Sequence, residues 1–462
     1  MINSRKEHEL TSDNSKPIRP QNPSRPAGGA SAANENRSPV NGRGKRGVIV
    51  APPSGNTPQP ESQLVVHRGF DTLALAIKAN ISSILFDFLD AELKVAVEER
   101  REVLITYAGL NFLLSPHGGS GYRFILKGGP DGATWFFKKP NAKDPWGIRL
   151  SFGSFFMATH GLGAAKAHVD FITGKLGIRF GPDDISISRA DYCVDILAPD
   201  FELIPDQFVM HSAAGRRDHI TPEETAVHGK SGRVTSVTIG AARNRQVIIY
   251  DKRAEVIARG KSHWWDIWNH TISTCKSAQN AVFGELPEFL SPNPEFAREN
   301  RVWRVEFRAG KDLLKDRWGI RTWEQFFALF GDLCREAGEV VRYAEPEGGD
   351  LNRARWPNHP VWEIVCAEMN GDLTEMRSGA DPNPMKEVQR EEHIGMIFRN
   401  LLGSSITLGA LHDTDVDGLE GMFDQLAANM TSEVKSDPER AAKQLQVAKD
   451  RYVFIEKRKR PT

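Results

Sequence analysis

Between residues 69 and 152 the chain is a succession of short runs, "FDTLALAIKANI", "VLITYAGLNFLL", "YRFILKGG", "TWFFKKP" and "GIRLSFGS", punctuated by Gly, Pro, Asn and Asp. Runs of this length and make-up predict strands joined as hairpins. Two helical patterns interrupt them. "SSILFDFLDAELKVAVEERRE" has apolar residues at helical spacing with Ser82 as its cap, and "GAAKAHVDFITGKLGI" reads as a helix ending near Gly174. Strand and helix do not alternate cleanly, and no glycine-rich phosphate loop follows a strand. From Trp323 onward the pattern is mostly helical. The expected fold class is therefore α+β, with a largely antiparallel sheet and its helices followed by a mostly helical C-terminal region.

Three segments result. Residues 1–64 are rich in Pro, Gly, Ser, Asn and Arg with almost no large apolar side chains, which predicts a disordered basic tail. Residues 65–322 are expected to form the sheet domain, with folding from Gly69, and residues 323–462 the helical region. Lys+Arg and Asp+Glu both total 60, so net charge names no partner. Local excesses do: the first fifty residues carry nine Lys/Arg against four Asp/Glu, residues 211–261 carry ten against five, and the chain ends "EKRKRPT". These are phosphate-facing candidates, or solvated faces and tails. Cys193, Cys275, Cys334 and Cys366 are scattered without zinc-ligand spacing, which fits a reducing compartment. No apolar run of about 18 residues stands out, so no membrane span is expected. No hydrophobic segment follows the charged N-terminus as in a secretory signal. The expected location is cytoplasmic.

The chemistry sits in three further strands. In "SISRADYCVDIL", Arg189, Asp191 and Asp195 share one face, and Ala190, Tyr192, Val194 and Ile196 the other. In "RNRQVIIYDKRAE", Ile248, Tyr250 and Lys252 share a face opposite Val247 and Ile249. In "NRVWRVEFRAG", Arg304, Glu306 and Arg308 oppose Trp303, Val305 and Phe307. Aligned in one sheet, these strands present carboxylates, arginines, a tyrosine and a lysine on one surface. Carboxylates of this kind hold a hard divalent cation through oxygen. A tyrosine hydroxyl, with an ordinary pKa near 10, costs roughly 4 kcal/mol to ionise at neutral pH, and a cation or nearby lysine lowers that cost. For any single strand, ordinary Arg/Asp and Arg/Glu cross-strand pairing is the plainer account.

The order of these motifs resembles the replication initiation factors of rolling-circle plasmids and filamentous phages, the Rep-trans type. The resemblance covers roughly residues 66–315. It rests on Arg189, Asp191 and Asp195, then Gly240, Tyr250 and Lys252, then Arg304 and Glu306. It implies an endonuclease and transesterase that nicks one origin strand through Tyr250, leaving a 5′-phosphotyrosine link and a free 3′-OH primer end. Lys252, Arg189 and Arg304 would assist. Asp191, Asp195 and Glu306 would hold Mg²⁺ or Mn²⁺, and Arg243, Arg245, Arg253 and Arg308 would hold the DNA backbone. Partners implied are origin DNA, single-stranded or supercoiled, a host helicase contacted by the helical end, and a second copy of the chain as a homodimer. Ile248 stands where the family often has an arginine, with Arg245 the nearest substitute.

Two rival readings use the same residues. A metal-dependent nuclease or polymerase-like palm would use Asp191, Asp195 and Glu306 and leave Tyr250 idle. A non-catalytic DNA-binding regulator would bind without a covalent product. The His-hydrophobic-His class of tyrosine initiators does not apply, because none of the thirteen histidines is so spaced. His160 and His168 are read as structural. Trp264, Trp265 and Trp268 have helical spacing, which favours core over base stacking.

Overall fold

The computed structural model describes residues 63–212, 215–217, 225–278, 287–371, 373 and 382–455. Almost all of the expected tail and the basic end "EKRKRPT" after Ile455 lie outside the described residues. The strands are β1 (Leu64–Ile77), β2 (Val103–Tyr107), β3 (Leu110–Leu114), β4 (Phe124–Lys127), β5 (Thr134–Phe137), β6 (Ile148–Phe152), β7 (Ile185–Leu197), β8 (Phe208–Ser212), β9 (Gly215–Arg217), β10 (Thr225–Lys230), β11 (Arg233–Gly240), β12 (Arg245–Asp251), β13 (Val302–Gly310) and β14 (Val341–Tyr343). Eleven of them form one antiparallel sheet in the order β10-β11-β12-β13-β7-β1-β6-β5-β4-β3-β2. A smaller sheet runs β14-β8-β9. The class is α+β with a large antiparallel sheet and a helical C-terminal region, as the strand spacing predicts. Ordered strand is present from Leu64, before the expected start at Gly69, where β1 already pairs with β7; further along it pairs with β6 as well.

The helices are α1 (Ser83–Glu99), α2 (Ser154–Lys175), α3 (Lys252–Arg259), α4 (His263–Ala278), α5 (Trp323–Val340), α6 (Pro360–Met369), α7 (Pro382–Leu411), α8 (Leu419–Ser436) and α9 (Pro438–Arg451). The Ser82 hydroxyl accepts from the Leu85 amide and caps α1, as expected. α2 starts well before the expected segment, from Ser154, and is broken at Gly161, whose φ is +76°.

Alternation along β7 and β13 gives the sheet two different faces. On one, Tyr192, Val194, Val305 and Phe307 are buried with Phe70. This face receives Phe326 and Phe330 of α5 and Trp362 of α6, with ring centroids 5.4 to 5.9 Å from Phe70 and Phe307. Each such ring contributes about 2–3 kcal/mol of burial. The other face is polar and is partly roofed by α4, whose Trp264, Ile267 and Trp268 are fully buried. His168 lies among Phe152, Phe156 and Trp135, and His160 faces Asp131, so both are structural as read.

One helix passes a test that the sequence reading did not apply: the span Met385–Leu411 in α7 is, by length and composition alone, long and apolar enough to cross a membrane. Arg399, Asn400 and the serines punctuate the run to the eye, but the averaged hydropathy of the helix tolerates them.

Candidate functional site

Strand register lays the polar side chains in three rows across the sheet. The first row is Ser236, Tyr250, Arg304, Asp195 and His67, each paired with the next across β11, β12, β13, β7 and β1. The second is Thr238, Ile248, Glu306, Cys193 and Gly69. The third is Gly240, Gln246, Arg308, Asp191 and Thr72. Parity in the sequence thus placed Asp191, Asp195, Tyr250, Arg304, Glu306 and Arg308 on a common face. Gly240 ends β11 at φ +94°, and a Cβ there would sit 2.2 Å from the Arg245 carbonyl oxygen, so the turn into β12 requires glycine.

Two charge clusters divide the face. Under α4, the fully buried Arg304 donates to Asp195 from Nε at 2.5 Å and from Nη2 at 2.8 Å, and pairs with Asp71 through Nη1. The Trp268 indole donates to Asp195 at 2.9 Å, and Trp264 lies 4.1 Å from the guanidinium. Burial opposes ionisation of Asp195, but the charge and hydrogen bonds of Arg304 outweigh it and hold the carboxyl below its usual range. Toward the open end, Asp191 accepts from Arg189 at 2.9 and 3.0 Å and from Arg308 at 3.2 Å. Arg308 also donates to Glu306 at 3.0 Å and Gln246 at 2.8 Å. Burial raises Asp191 above the usual carboxylate range despite Arg189. Burial, then the nearby charges of Asp71 and Asp191, push Glu306 up to about 7.

Tyr250 lies between the clusters. Its hydroxyl donates to Glu306 Oε2 at 3.3 Å and accepts from Lys252 Nζ at 3.4 Å. Burial raises the phenol well above its ordinary value, against the pull of Arg304. Burial also lowers Lys252, reinforced by Arg304. The expected easing of phenol ionisation by a nearby lysine is therefore outweighed, and the resting group is the neutral phenol. Its proton must leave as the oxygen reacts, and the acceptor within reach is Glu306.

Several sequence-derived placements change. Lys252 is not on the strand: Asp251 caps α3 by accepting from the Ala254 amide at 2.9 Å, and Lys252 is the first helical residue. It reaches Tyr250 from the helix start instead and is held by Glu255 at 2.9 Å. Arg245 points to the opposite face, where burial lowers its pKa to about 10 and Glu336 of α5 lies 3.7 Å away. It neither holds a backbone phosphate nor replaces the missing arginine at Ile248. Arg253 is buried and donates to the carbonyls of Ser291 and Asn293 at 3.1 and 2.8 Å, which fastens a loop. Arg243 remains 80 % exposed at the β11–β12 turn, 3.5 Å from Asp312. Trp264 and Trp268 are core, as their spacing favoured, and they roof the Arg304 cluster.

The sequence reading missed Asp71, His67 and Gln246. Asp71 falls at a register shift between Phe70 and Thr72, where β1 bulges against β7. The charges of Arg304, Lys252 and Lys261 hold it below the usual range against burial. The signal was present, since His67, Gly69 and Asp71 interrupt one side of an otherwise apolar strand.

For a divalent cation, the three expected ligands do not act together. Asp195 is occupied by Arg304 and Trp268, and among the described residues no three His, Cys, Asp or Glu side chains converge as a metal site. The remaining carboxylates are engaged as well: Asp71 pairs with Arg304, Asp191 with Arg189 and Arg308, and Glu306 with Arg308.

Comparison with known proteins adds a structural likeness. No family model matches the chain, and no curated protein matches it. A solved structure described as a rolling circle replication initiator protein from Geobacillus stearothermophilus matches over 68 % of this chain and 99 % of its own. Its TM-score is 0.33 at 13 % sequence identity, too low for that likeness to bear on fold or activity.

Proposed function

We propose that this chain is a replication initiator that nicks one strand of origin DNA through Tyr250. The observation that carries the reading is the placing of the Tyr250 hydroxyl between Glu306 and Lys252, on a face whose open side presents Arg189 and Arg308. Arg189, with Arg308 and Arg243, receives the phosphate backbone. The phenol oxygen attacks phosphorus, its proton passes to Glu306, and the bond from phosphorus to the 3′ oxygen breaks. The products are a 5′-phosphotyrosine and a 3′-OH, with the departing oxygen taking up a proton. Lys252 stabilises charge on the phenol oxygen as it develops. Arg304 and Asp195 are positioning residues that fix the strand beside Tyr250. The helical end is the part assigned to origin or helicase contact.

The experiment is incubation with supercoiled circles and single-stranded oligonucleotides carrying the gene's flanks, with Mn²⁺ present. A denaturant-resistant protein–DNA adduct is expected from the wild type and none from Tyr250→Phe. The Phe variant should still bind DNA with a comparable salt dependence. An adduct mapped to another tyrosine, or one formed by the Phe variant, refutes the assignment.

A further inference from the structure

The polar face of the sheet does not stop at Arg189. Strand pairing carries its row on through Ala74, Ser151, Thr134 and Lys127, across β1, β6, β5 and β4. Two residues further along these strands, Ala76, Arg149, Phe136 and Ile125 form the next row on the same side. Arg149 is half-buried between buried Ile148 and Leu150, and Phe136 is half-buried between buried Trp135 and Phe137. That alternation identifies the side that keeps contact with water. What stands there is aromatic and basic. The Arg149 guanidinium lies 5.4 Å from the centre of the Phe136 ring. Tyr122 meets Phe136 edge-on at 6.0 Å, and Lys138 lies 4.5 Å from the centre of the Tyr122 ring. A hydrogen bond from Lys138, and more weakly the charge of Lys311 just after β13, hold Asp144 below its usual range. Among the described residues Arg149 has no carboxylate partner, so its charge is available to an anion.

We infer that this cluster is a second contact point for single-stranded DNA, where a base stacks against Phe136 and Tyr122 and the flanking phosphates meet Arg149 and Lys138. The inference rests on the nicking reading for where the strand leads: it is the strand that passes Arg308 and Arg189 on its way from Tyr250. Rings set beside cations on a shallow surface suit unpaired bases and their backbone. A duplex leaves such rings unused, because its bases already stack on one another. Between the two contact points the row beside Arg189 holds only the short side chains of Ala74, Ser151 and Thr134, over which a strand can lie. Four strand spacings separate β12 from β6, about 19 Å. Along β7, the rows of Tyr250 and Arg149 are those of Asp195 and Ser186, about 30 Å apart. The path is therefore roughly 35 Å, room for several of the ~4–16 nucleotides that a single-strand groove engages.

The test uses the full chain carrying Tyr250→Phe, without added metal, so that no covalent product is needed. Binding of a labelled oligothymidylate of about twenty nucleotides is followed by fluorescence anisotropy at several salt concentrations, beside a duplex of equal length. Adding Phe136→Leu should weaken single-strand binding at least about fivefold, the low end for one lost base stack, and leave the salt slope and the duplex affinity unchanged. Adding Arg149→Gln should instead lower the single-strand salt slope by about 0.7. A substitution on a sheet face also perturbs packing, so a third measurement keeps the surface intact. Ultraviolet irradiation of an oligonucleotide carrying 5-iododeoxyuridine should attach it to the peptide that holds Tyr122 or to the one that holds Phe136. Affinities and slopes equal to the parent's, a loss shared equally by the duplex, or photoproducts confined to other peptides would each overturn the inference. A wild type that forms no tyrosine adduct while these binding results hold would refute the nicking and keep the contact point.

Discussion

Asp195→Asn distinguishes a buried structural carboxylate from a metal ligand. In the folded protein Arg304 has no exposure and two counter-charges, Asp195 and Asp71. An amide keeps the volume of the carboxylate but not its charge, and it turns one acceptor into a donor facing either the guanidinium or the Trp268 indole. Removing one partner of a buried ion pair costs about 3–5 kcal/mol. Asp71 remains, so about 3 kcal/mol is the expected loss here. For a chain of this size the urea dependence is at least ~3 kcal/mol per molar, which turns that loss into a midpoint about 1 M lower or slightly less. Urea unfolding followed by tryptophan fluorescence reads it directly, because Trp264 and Trp268 pack against the pair. Pairing the change with Arg304→Met and Asp71→Asn together should recover much of the midpoint, since no member of the cluster is then left as an unpaired charge. A midpoint within ~0.2 M of wild type would refute the buried-pair reasoning. If the variant were as stable as wild type but no longer cleaved DNA, Asp195 would be a ligand after all.

Two further outcomes follow from placement. Arg308→Met should weaken DNA binding and reduce the slope of log K against log salt by about one unit, whereas Arg245→Met should leave both unchanged and lower the melting temperature; the same filter-binding series at several salt concentrations checks both. Burial pushes His263 down to about 3, so folding keeps it neutral while the unfolded chain takes up its proton near pH 6.5. Its contribution is fully present above pH 6.5 and is lost as pH falls toward 3. Relative to His263→Phe, the wild type should therefore lose up to about 1.4 kcal/mol per pH unit below 6.5, measured by unfolding at pH 7 and 4.5.

The sheet face was legible in the sequence because it depends only on the two-residue period of a strand. Asp191, Tyr250, Arg304 and Glu306 fell together for that reason, and β12 and β13 carried them in the register required. The same period already put Arg245 with Val247 and Ile249, facing α5, and weighing its charge above its parity misled the reading. What lay beyond reach was longer-ranged. Nothing in "DYCVDIL" announces that an indole 73 residues later will occupy Asp195. Lys252 changed element because Asp251 is a better helix cap than strand residue. Asp71 shares the parity of His67 and Gly69, but its register against β7 is shifted by a bulge between Phe70 and Thr72, which alternation cannot foresee.

The pairing order of the sheet also sets when the site can exist. Arg304 meets Asp195 across 109 residues of chain and Asp71 across 233, and the tyrosine strand reaches β7 only through β13. A nascent chain that has not yet released β13 has Tyr250 and both buried aspartates but no arginine between them. Such contacts between distant residues form slowly, because loop-closure entropy must be overcome first. On the proposed reading, an incomplete product ending before Val302 would carry Tyr250 yet lack the surface that aims it, so any competence for strand scission would arrive only after most of the chain has been synthesised.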